Sequence, residues 1–513
     1  MMKSSVLKGL AEIVGAENAL TDEASLVRYA ADAGWGISPL HAPGRPRGLA
    51  SGPGTNMALP AKPSSASGHG GLGSGSPSVG TPRPPGYPSP SAPKPDAVVK
   101  PRSAEEVRQI VALARDEGIA VTVRGGGTGL WGGAVPVRGG IVVSTENLGG
   151  EPEIHRDDLY VVVGAGTITG ELRDTVEMAG LFYPVDPASE ASSTVGGNVG
   201  EGARGLRSLK YGTTRNYVLG LELVTGEGKL VSVGAKTVKN VAGYDLTRLM
   251  VGSEGTLAIA TSVTLRVLPL PPEDVVLAFA LPDAATAAQA ATEIMAQGLS
   301  PSLVEMADRE SLRTVARNPW SDAGALLMVG FDGTKSRCEE QASKVKGILR
   351  SEYAAAPAAE VRRPDCERVL KVRRAVLTGL LESSRVVRLE GLRVPPARLA
   401  RLAERISEIS RGSGLGMAVW GHAGDGAIHV AVLGDPAERD TDRNVTAAIG
   451  VLSDVAGACE DLGGAACGGT GLRHGMPAAR LAVTGVGLDV LKEIKRAMDP
   501  KGIMNPGKMN YDA

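Results

Sequence analysis

The chain has 513 residues, with 55 basic and 56 acidic side chains and a formal charge of −1 at pH 7. This length exceeds the usual size of one domain, about 100 to 200 residues, so two or more domains are expected. The balanced charge gives no indication of nucleic-acid binding or of a polybasic membrane patch, and no run of about 18 apolar residues offers a transmembrane helix. The four cysteines form no CxxC pair, which predicts a reducing, cytoplasmic setting and argues against an iron–sulfur cluster in this chain.

The first elements in the chain are a helix and a long insertion. Residues 1–20 have an apolar pattern interrupted by Glu12 and Glu17, which predicts an amphipathic helix rather than a signal peptide. More than half of the residues from Pro43 to Pro95 are Gly, Pro or Ser, and such a segment cannot bury enough apolar surface to offset its ordering entropy. We predict a flexible surface insertion, and an arm that docks a partner is the second interpretation.

Two blocks of helices and strands follow. In the first, a helix opened by Ser103 is predicted over Pro101 to Glu117 and another over Gly170 to Ala179, and apolar strand-like runs start at Ile119, Ile141, Leu159, Leu219 and Leu257. This pattern predicts a mixed α+β domain that ends near Pro272. In the second block, strand-like and helix-like segments alternate: Val275–Leu281, Ala284–Gln297, Ala325–Phe331, Lys335–Arg350, Cys366–Leu381, Pro395–Arg411 and Gly414–Leu433. Helices at residues 443–462 and 488–498 are expected to return the chain to the first domain.

A glycine-rich loop lies between two strand-like runs, at Val123–Gly133, with the sequence VRGGGTGLWGG. Glycines allow backbone N–H groups to approach an anionic ligand, and Arg124 adds a cation. Although the loop contains GxGxxG, a dinucleotide-binding βαβ unit needs a helix directly afterwards, and Pro136 and a second strand-like run follow instead. An anion-binding loop and a purely structural turn both remain open at this point.

Four further segments make the loop part of a larger pattern: Pro184–Gly205, Tyr211–Val224, Lys239–Pro269 and Ile494–Met509. Together with the loop they closely resemble the PCMH-type FAD-binding module of the vanillyl-alcohol oxidase superfamily. Within it, they resemble the branch that holds the flavin subunit of glycolate oxidase and the FAD-linked D-lactate and D-2-hydroxyglutarate dehydrogenases. The resemblance runs from about Asp96 onward and more weakly over residues 5–33.

The resemblance implies an α+β protein in which a two-subdomain FAD-binding domain is covered by an α+β cap domain. The expected segments are an N-terminal helical part of the FAD domain (1–42), the insertion (43–95), the PCMH-type FAD-binding domain (96–272), the cap or substrate domain (273–460) and a C-terminal segment that closes the FAD site (461–513).

The same resemblance implies which residues bind FAD. The loop contains neither His nor Cys, the residues that carry covalent FAD in relatives, so non-covalent binding is expected. The expected FAD-binding residues are Arg124, Gly125, Gly126, Gly127, Thr128, Gly129, Ser193, Thr194, Gly197, Asn198, Gly202, Gly205, Gly252, Glu254, Gly255, Thr256, Ile259, Asn505 and Lys508.

The segment WGHAGDGAIHV, Trp420–Val430, resembles the GHxGDGNxH motif of the 2-hydroxyacid branch. In that motif both histidines bind a divalent, zinc-like metal that polarises the substrate, and they correspond to His422 and His429. Ala427 stands where the family has Asn. The second interpretation is a pair of structural histidines in a glycine-rich turn.

The third metal ligand of the family, a Glu, has no counterpart. In GGAACGGTGLRHGMP, from residue 463, one alignment places Gly469 at this position, and the other places Arg473 there and keeps the adjacent His474. Two imidazoles alone make a weak cation site, so the resemblance leaves the metal in doubt. We hypothesise that Arg473 supplies fixed positive charge near the substrate instead.

A further candidate is Arg373 in KVRRAVLTG, which resembles the helix whose Arg binds the substrate carboxylate in this family. Arginine suits this role because its charge is permanent and its fork is bidentate. The second interpretation is an exposed Arg on an amphipathic helix.

These resemblances imply an FAD-dependent dehydrogenase of (R)-2-hydroxy acids such as D-lactate or glycolate. Arg373 would bind the carboxylate, His429 or His474 would take the hydroxyl proton, and His422 would assist. Electrons would pass to an iron–sulfur or electron-transfer flavoprotein partner, through which the cytoplasmic chain could associate with a membrane. The alternative is a flavin-loaded relay or assembly subunit with reduced catalytic capacity, and direct use of oxygen is a third interpretation.

Overall fold

A computed structural model of the chain describes residues 2–33, 94–383, 385–435, 442–466 and 486–508. The predicted insertion therefore lies outside the described residues apart from its last two positions, and so do Gly469, Arg473 and His474. Within the described residues, no helix is long and apolar enough to cross a membrane.

The first domain begins with a four-stranded sheet in the order β1-β2-β4-β3, in which β2, β4 and β3 are parallel. Its helix α3 shows how the sequence forms these elements. The Ser103 side chain accepts a hydrogen bond from the Glu106 N–H, and the helix ends at Gly118 with φ of 64°. The elements are α1 Ser4–Val14, β1 Ala19–Leu20, α2 Glu23–Tyr29, β2 Ala97–Val99, α3 Ala104–Glu117, β3 Val121–Arg124 and β4 Ile141–Ser144.

A second, antiparallel sheet completes the first domain, with the order β5-β6-β10-β8-β9. Alternate residues of its central strands, including Val161, Val163, Val263 and Leu265, are buried in one core, as period-two side-chain orientation requires. The elements are β5 Glu153–His155, β6 Tyr160–Gly164, α4 Thr169–Met178, β7 Leu181–Phe182, α5 Val195–Glu201, α6 Ser208–Tyr211, β8 Val218–Thr225, β9 Leu230–Gly234, α7 Leu246–Met250, β10 Ala258–Arg266 and β11 Leu268–Pro269.

The second domain is built on an eight-stranded antiparallel sheet with the order β15-β12-β14-β13-β17-β18-β16-β19. The predicted strand and helix pairs are present, and four strands that were not predicted, β13, β15, β16 and β19, join the sheet. The elements are β12 Glu273–Leu281, α8 Ala284–Ala296, β13 Leu303–Asp308, α9 Arg309–Arg313, β14 Ala325–Gly333, α10 Lys335–Tyr353, β15 Ala359–Arg362, α11 Cys366–Glu382, β16 Val386–Arg393, α12 Leu399–Ser413, β17 Gly416–His422, β18 Ala427–Leu433, α13 Asp442–Asp461 and β19 Ala465–Ala466. A further helix outside this domain, α14 Val486–Met498, follows in the chain.

The two faces of this sheet have different partners. Residues such as Met306 and Val419 lie in a core with helices α8, α10, α12 and α13. Residues of opposite parity, such as Ala307 and Trp420, pack instead with α11 and with Leu206 of the first domain. Because side chains alternate along a strand, the odd or even position of a residue in β13 decides whether it faces the helices or the first domain.

Helix α13 differs from the expectation. Its residues Val451, Leu452, Val455 and Cys459 are buried in the core of the second domain, so it does not return the chain to the first domain. Helix α14 does return, because Ile494 and Met498 pack on the first domain's larger core. The sequence shows an apolar stripe on each helix but not which of two apolar cores that stripe will match.

A buried ion cluster joins the two domains. Arg207 of the first domain donates from Nη2 to Asp274 Oδ2 at 2.6 Å, and its Nη1 lies 3.7 Å from Asp332 Oδ2. Its own backbone N–H donates to Asp186 Oδ1 at 3.1 Å. In the opposite direction, Arg374 of α11 donates to the Asp186 carbonyl at 2.8 Å. The walls of any cavity between the domains are therefore tied together by charge as well as by packing.

Candidate active site

A cavity of about 610 Å³ lies between the two domains. The first domain lines it with the glycine-rich loop and with residues 196–206. The second domain lines it with side chains from α11, β16, β17 and β18, including Arg373, Trp420, His422 and His429. The size is that of a pocket for a cofactor or a drug-sized ligand, about 300 to 1,000 Å³.

The glycine-rich loop is packed too closely against its neighbours to accept side chains. A Cβ atom on Gly125 would lie 2.4 Å from Thr194 Oγ1, and one on Gly126 would lie 2.1 Å from the Ser192 carbonyl oxygen. Gly127 has φ of 65°, in the left-handed region that favours glycine. The loop therefore presents backbone to the cavity, as a cradle for the pyrophosphate of FAD requires.

Most of the expected FAD-binding residues line this cavity. They are Gly125, Gly126, Gly127, Thr128, Gly129, Thr194, Gly197, Asn198, Gly202, Gly205, Gly252, Glu254 and Gly255. These residues come from segments far apart in the sequence and meet on one wall of the cavity. This arrangement is the one expected for residues that bind FAD, the cofactor that the resemblance implies. Direct contact of each residue with FAD remains a prediction.

Four of the expected residues lie behind the lining. Arg124 donates to the Ala31 carbonyl at 2.5 Å, so its guanidinium lies against the N-terminal segment. Ser193 Oγ lies 3.0 Å from the Thr169 hydroxyl, and Thr256 Oγ1 donates to the Ser253 carbonyl. Ile259 is fully buried in the core of the smaller sheet, and its neighbours Ala258 and Ala260 line the cavity.

The tail residues fasten the loop from outside. Lys508 Nζ donates to the carbonyl oxygens of Gly132 and Val135, both at 2.6 Å. Asn505 Nδ2 donates to the carbonyl oxygens of Gly133 and Glu254, at 2.8 and 2.6 Å. Both side chains are about 1% exposed. The tail therefore acts on the cofactor site by holding the end of the glycine-rich loop in place.

Three carboxyl groups surround the same loop, and two of them, Asp32 and Glu201, were not predicted from the sequence. Carboxyl oxygens of both lie near Gly129, and Glu254 lies against Gly133. Although Glu201 is accessible from the cavity, desolvation by the surrounding protein and the charge of Asp32 raise its pKa to about 7. Burial and both acidic neighbours also raise the pKa of Glu254, against the opposing charge of Lys508.

On the opposite wall, Glu305 bridges two of the predicted catalytic residues. Its Oε1 lies 2.6 Å from His422 Nδ1, and its Oε2 lies 2.9 Å from Arg373 Nε. Glu305 and Arg373 are 1% and 4% exposed, which excludes the interpretation of Arg373 as a surface residue. Burial lowers the pKa of Arg373, and the carboxylate of Glu305 opposes this shift. Glu305 was not predicted from the sequence, where its only signal is an acid inside the apolar run SLVEM.

His429 lies beside an aromatic wall of the cavity. Its ring stacks on Trp420 with centroids 5.4 Å apart, and the two residues are paired across β17 and β18. Across β16, Gly391 is the partner of His429, and a Cβ there would lie 3.2 Å from the Trp131 ring. Because Gly391 has no side chain, the rings of Trp131 and His429 can both approach it from the cavity.

The structure brings His422 and His429 to one face of one sheet, as the motif predicts, but it gives the metal no further support. Within the described ranges, no three His, Cys, Asp or Glu side chains form a group able to hold a metal ion. The segment that would supply a third ligand, together with His474 and Arg473, falls in the gap between residues 466 and 486.

Known proteins share both the sequence and the fold. The FAD binding domain family matches residues 95–234, and the family of FAD-linked oxidases, C-terminal domain, matches residues 270–509. Glycolate oxidase subunit GlcD of Bacillus subtilis is 34% identical over 424 residues, 81% of this chain and 89% of that protein. D-lactate dehydrogenase of Archaeoglobus fulgidus is 35% identical over 424 residues, 80% and 90% of the two chains.

Two solved structures show the same fold at lower identity. Alkyldihydroxyacetonephosphate synthase matches with a TM-score of 0.71 and 18% identity, over 99% of this chain and 86% of that one. p-Cresol methylhydroxylase matches with a TM-score of 0.71 and 15% identity, over 99% and 96% of the two chains. The two family models and the relatives above 30% identity show that the chain belongs to the FAD-linked oxidases and is an enzyme of the hydroxyacid dehydrogenase and oxidase type.

Proposed function

We propose that this enzyme oxidises an (R)-2-hydroxy acid of the D-lactate or glycolate type to the 2-oxo acid. The observation that carries the proposal is that Arg373, His422 and His429 of the second domain line the same cavity as the glycine-rich loop of the first. FAD, when bound, supplies the acceptor for the hydride at its N5 atom. The chain must then supply a carboxylate site and a proton acceptor.

Arg373 is the group we assign to the substrate carboxylate. Its contact with Glu305 uses Nε, which leaves the two terminal nitrogens of the guanidinium for another acceptor. A guanidinium fork matches the two oxygens of a carboxylate, and a largely desolvated site strengthens that attraction. The neighbouring Arg374 cannot share the role, because it is engaged with Asp186 in the interdomain cluster.

The proton of the substrate hydroxyl goes to an imidazole. His422 and His429 both line the cavity, on the same face of the eight-stranded sheet. Arg373 lines the same wall, so each histidine is a candidate to take the proton of a substrate whose carboxylate Arg373 binds. A positioned histidine is the side chain most often used for such a transfer near neutral pH. His474 remains a further candidate from the sequence.

The names of the relatives support this reaction class. They include the GlcD subunit of a glycolate oxidase, D-lactate dehydrogenases, and a D-2-hydroxyglutarate dehydrogenase of Xanthomonas citri that is 30% identical over 430 residues. We further propose that electrons leave through a partner protein, an iron–sulfur subunit or an electron-transfer flavoprotein, because the cysteine pattern offers no cluster site in this chain.

A relay subunit with little catalytic capacity is the second candidate function. The observation that favours it is the departure from the family motif at Gly469 and Arg473, where neither alignment keeps the Glu of relatives. Such a subunit would hold FAD and exchange electrons without being reduced by a hydroxy acid.

Anaerobic mixing of the FAD-loaded protein with D-lactate, L-lactate, glycolate and D-2-hydroxyglutarate separates the two candidates. Bleaching of the flavin absorbance by a D-acid or glycolate, but not by L-lactate, is the expected result. Arg373→Met should abolish it, whereas Lys371→Met, an exposed cation on the same helix, should leave it unchanged. A wild-type flavin that none of these acids reduces would favour the relay subunit.

A further inference from the structure

Glu305 is a buried carboxylate whose two oxygens contact two different groups of the candidate active site. We propose that Glu305 is a positioning residue that fixes the tautomer and orientation of His422 and the direction of the Arg373 guanidinium. What these groups then do to a substrate rests on the proposed function. The bridge itself does not, since it is a property of the three side chains.

Backbone pairing places Glu305 where this role is available. Strands β13 and β17 are antiparallel neighbours, and Glu305 is the register partner of His422. Side chains of such partners leave the sheet on the same face, with Cβ atoms about 5 Å apart. On this face, α11 brings Arg373 to the other carboxylate oxygen, so the acid is enclosed and only 1% exposed.

The chemistry of the bridge determines which nitrogen of His422 carries the proton. An ionised carboxylate only accepts hydrogen bonds, so His422 Nδ1 must be the donor across the 2.6 Å contact. The lone pair of the neutral ring is then on Nε2. Since His422 lines the cavity, Nε2 is the atom available to a substrate hydroxyl or to a metal ion.

The same carboxylate has a second effect on Arg373. It provides a negative charge next to a guanidinium that burial alone would destabilise, and it engages Nε rather than the terminal nitrogens. An ion pair with a purely structural role would stabilise the fold but would not need to control the imidazole tautomer. The tautomer is therefore the property that distinguishes positioning from simple stabilisation.

The substitution Glu305→Gln tests this distinction because it replaces one acceptor oxygen with an NH2 donor. Arg373 keeps its charge and needs the remaining oxygen, so the NH2 group would face His422 Nδ1. The imidazole would then have to accept at Nδ1 and carry its proton on Nε2. We expect Glu305→Gln to switch the tautomer and Glu305→Asp to keep the original one.

The tautomer can be read by nitrogen-15 NMR of the FAD-loaded full chain labelled at its six histidines, with His422→Asn used for assignment. Asp308→Asn is the matched control: it lies on the same strand, points to the other face and keeps a residue suited to cap α9. The wild type and this control should both show the proton on Nδ1. A wild-type proton on Nε2, or an unchanged tautomer in Glu305→Gln, would overturn the proposal.

Kinetics provide a second measurement when a hydroxy acid reduces the flavin. Glu305→Gln should lower the reduction rate by about 10- to 100-fold and Glu305→Asp should recover part of it, as found for partners that orient functional histidines. Asp308→Asn should retain the wild-type rate. If no acid reduces the wild-type flavin, the proposed function fails, while the tautomer measurement still decides the role of Glu305.

Discussion

Removing the cation at the centre of the interdomain cluster should destabilise the protein strongly. In Arg207→Met, a side chain of similar length would occupy the site without its charge. The carboxylates of Asp186, Asp274 and Asp332 would stay buried, since their side chains are at most 6% exposed. Burial works against the charge of Arg207, but the three acids together hold its pKa above the ordinary value.

The size of the effect depends on which acids keep another partner. Asp332 retains Lys210 and the Tyr211 hydroxyl, and Asp186 retains Arg374, whereas Asp274 loses its 2.6 Å hydrogen bond to Arg207. Breaking a buried pair costs about 3 to 5 kcal/mol, and the lower value applies where neighbours remain. For domains of 150 to 250 residues, about 3 kcal/mol corresponds to a melting temperature lower by roughly 6 to 12 °C.

Differential scanning calorimetry of the FAD-loaded protein, with flavin release followed by fluorescence in the same temperature range, would measure the loss. Arg108→Met is a matched control, because Arg108 forms an exposed pair with Glu105 on helix α3 and such pairs contribute about 0 to 1 kcal/mol. A fall of less than about 2 °C for Arg207→Met, no larger than that of the control, would refute the conclusion that this cluster holds the domains together.

Three further outcomes test the cavity itself. Gly126→Ala should lose FAD, measured as the ratio of flavin to protein absorbance, because its Cβ would lie 2.1 Å from the Ser192 carbonyl, whereas Gly150→Ala, with open space around it, should retain FAD. Arg373→Lys should raise the KM for the acid by about tenfold or more in stopped-flow reduction, because an ammonium cannot form the bidentate contact. The raised pKa of Glu201, about 7, means that the folded state binds its proton more tightly than the unfolded state, so stability falls as pH rises from the unfolded carboxyl range to neutrality. Glu201→Gln should therefore melt at a higher temperature than the wild type at about pH 8 and at nearly the same temperature at about pH 4, below the unfolded pKa, and an equal difference at both values would contradict the assignment.

The glycine-rich wall of the site could be predicted from sequence because its signal is local. Closely spaced glycines such as Gly125 and Gly126 are needed wherever backbone packs on backbone, and the structure places them against Ser192 and Thr194 as such packing requires. The pair His422 and His429 could also be predicted from the sequence, because only a short turn separates the two strands that bring both residues to one face of the sheet.

Glu305 could not be predicted in this way because its role arises from contacts between distant segments. It lies 117 residues from His422 in sequence, and only the register of β13 against β17 brings them together. The strand that carries it holds two acids, Glu305 and Asp308, and the sequence does not show which of them is buried until the partner strand is known. The predicted position of helix α13 was wrong for a related reason, because its apolar stripe could pack on either of two apolar cores.

The hydrogen bonds from Lys508 and Asn505 to the glycine-rich loop connect residues 376 and 372 positions apart. During synthesis, the strands around residues 121–144 are made long before the segment that holds the end of their loop. Domains that fold as they emerge can form their early sheets at once, but this cradle stays incomplete until residues 495–508 have been made and docked. The cradle is therefore complete only after nearly the whole chain has been synthesised, and a ribosome stalled before residue 495 would carry a glycine-rich loop without the side chains that hold its end in place.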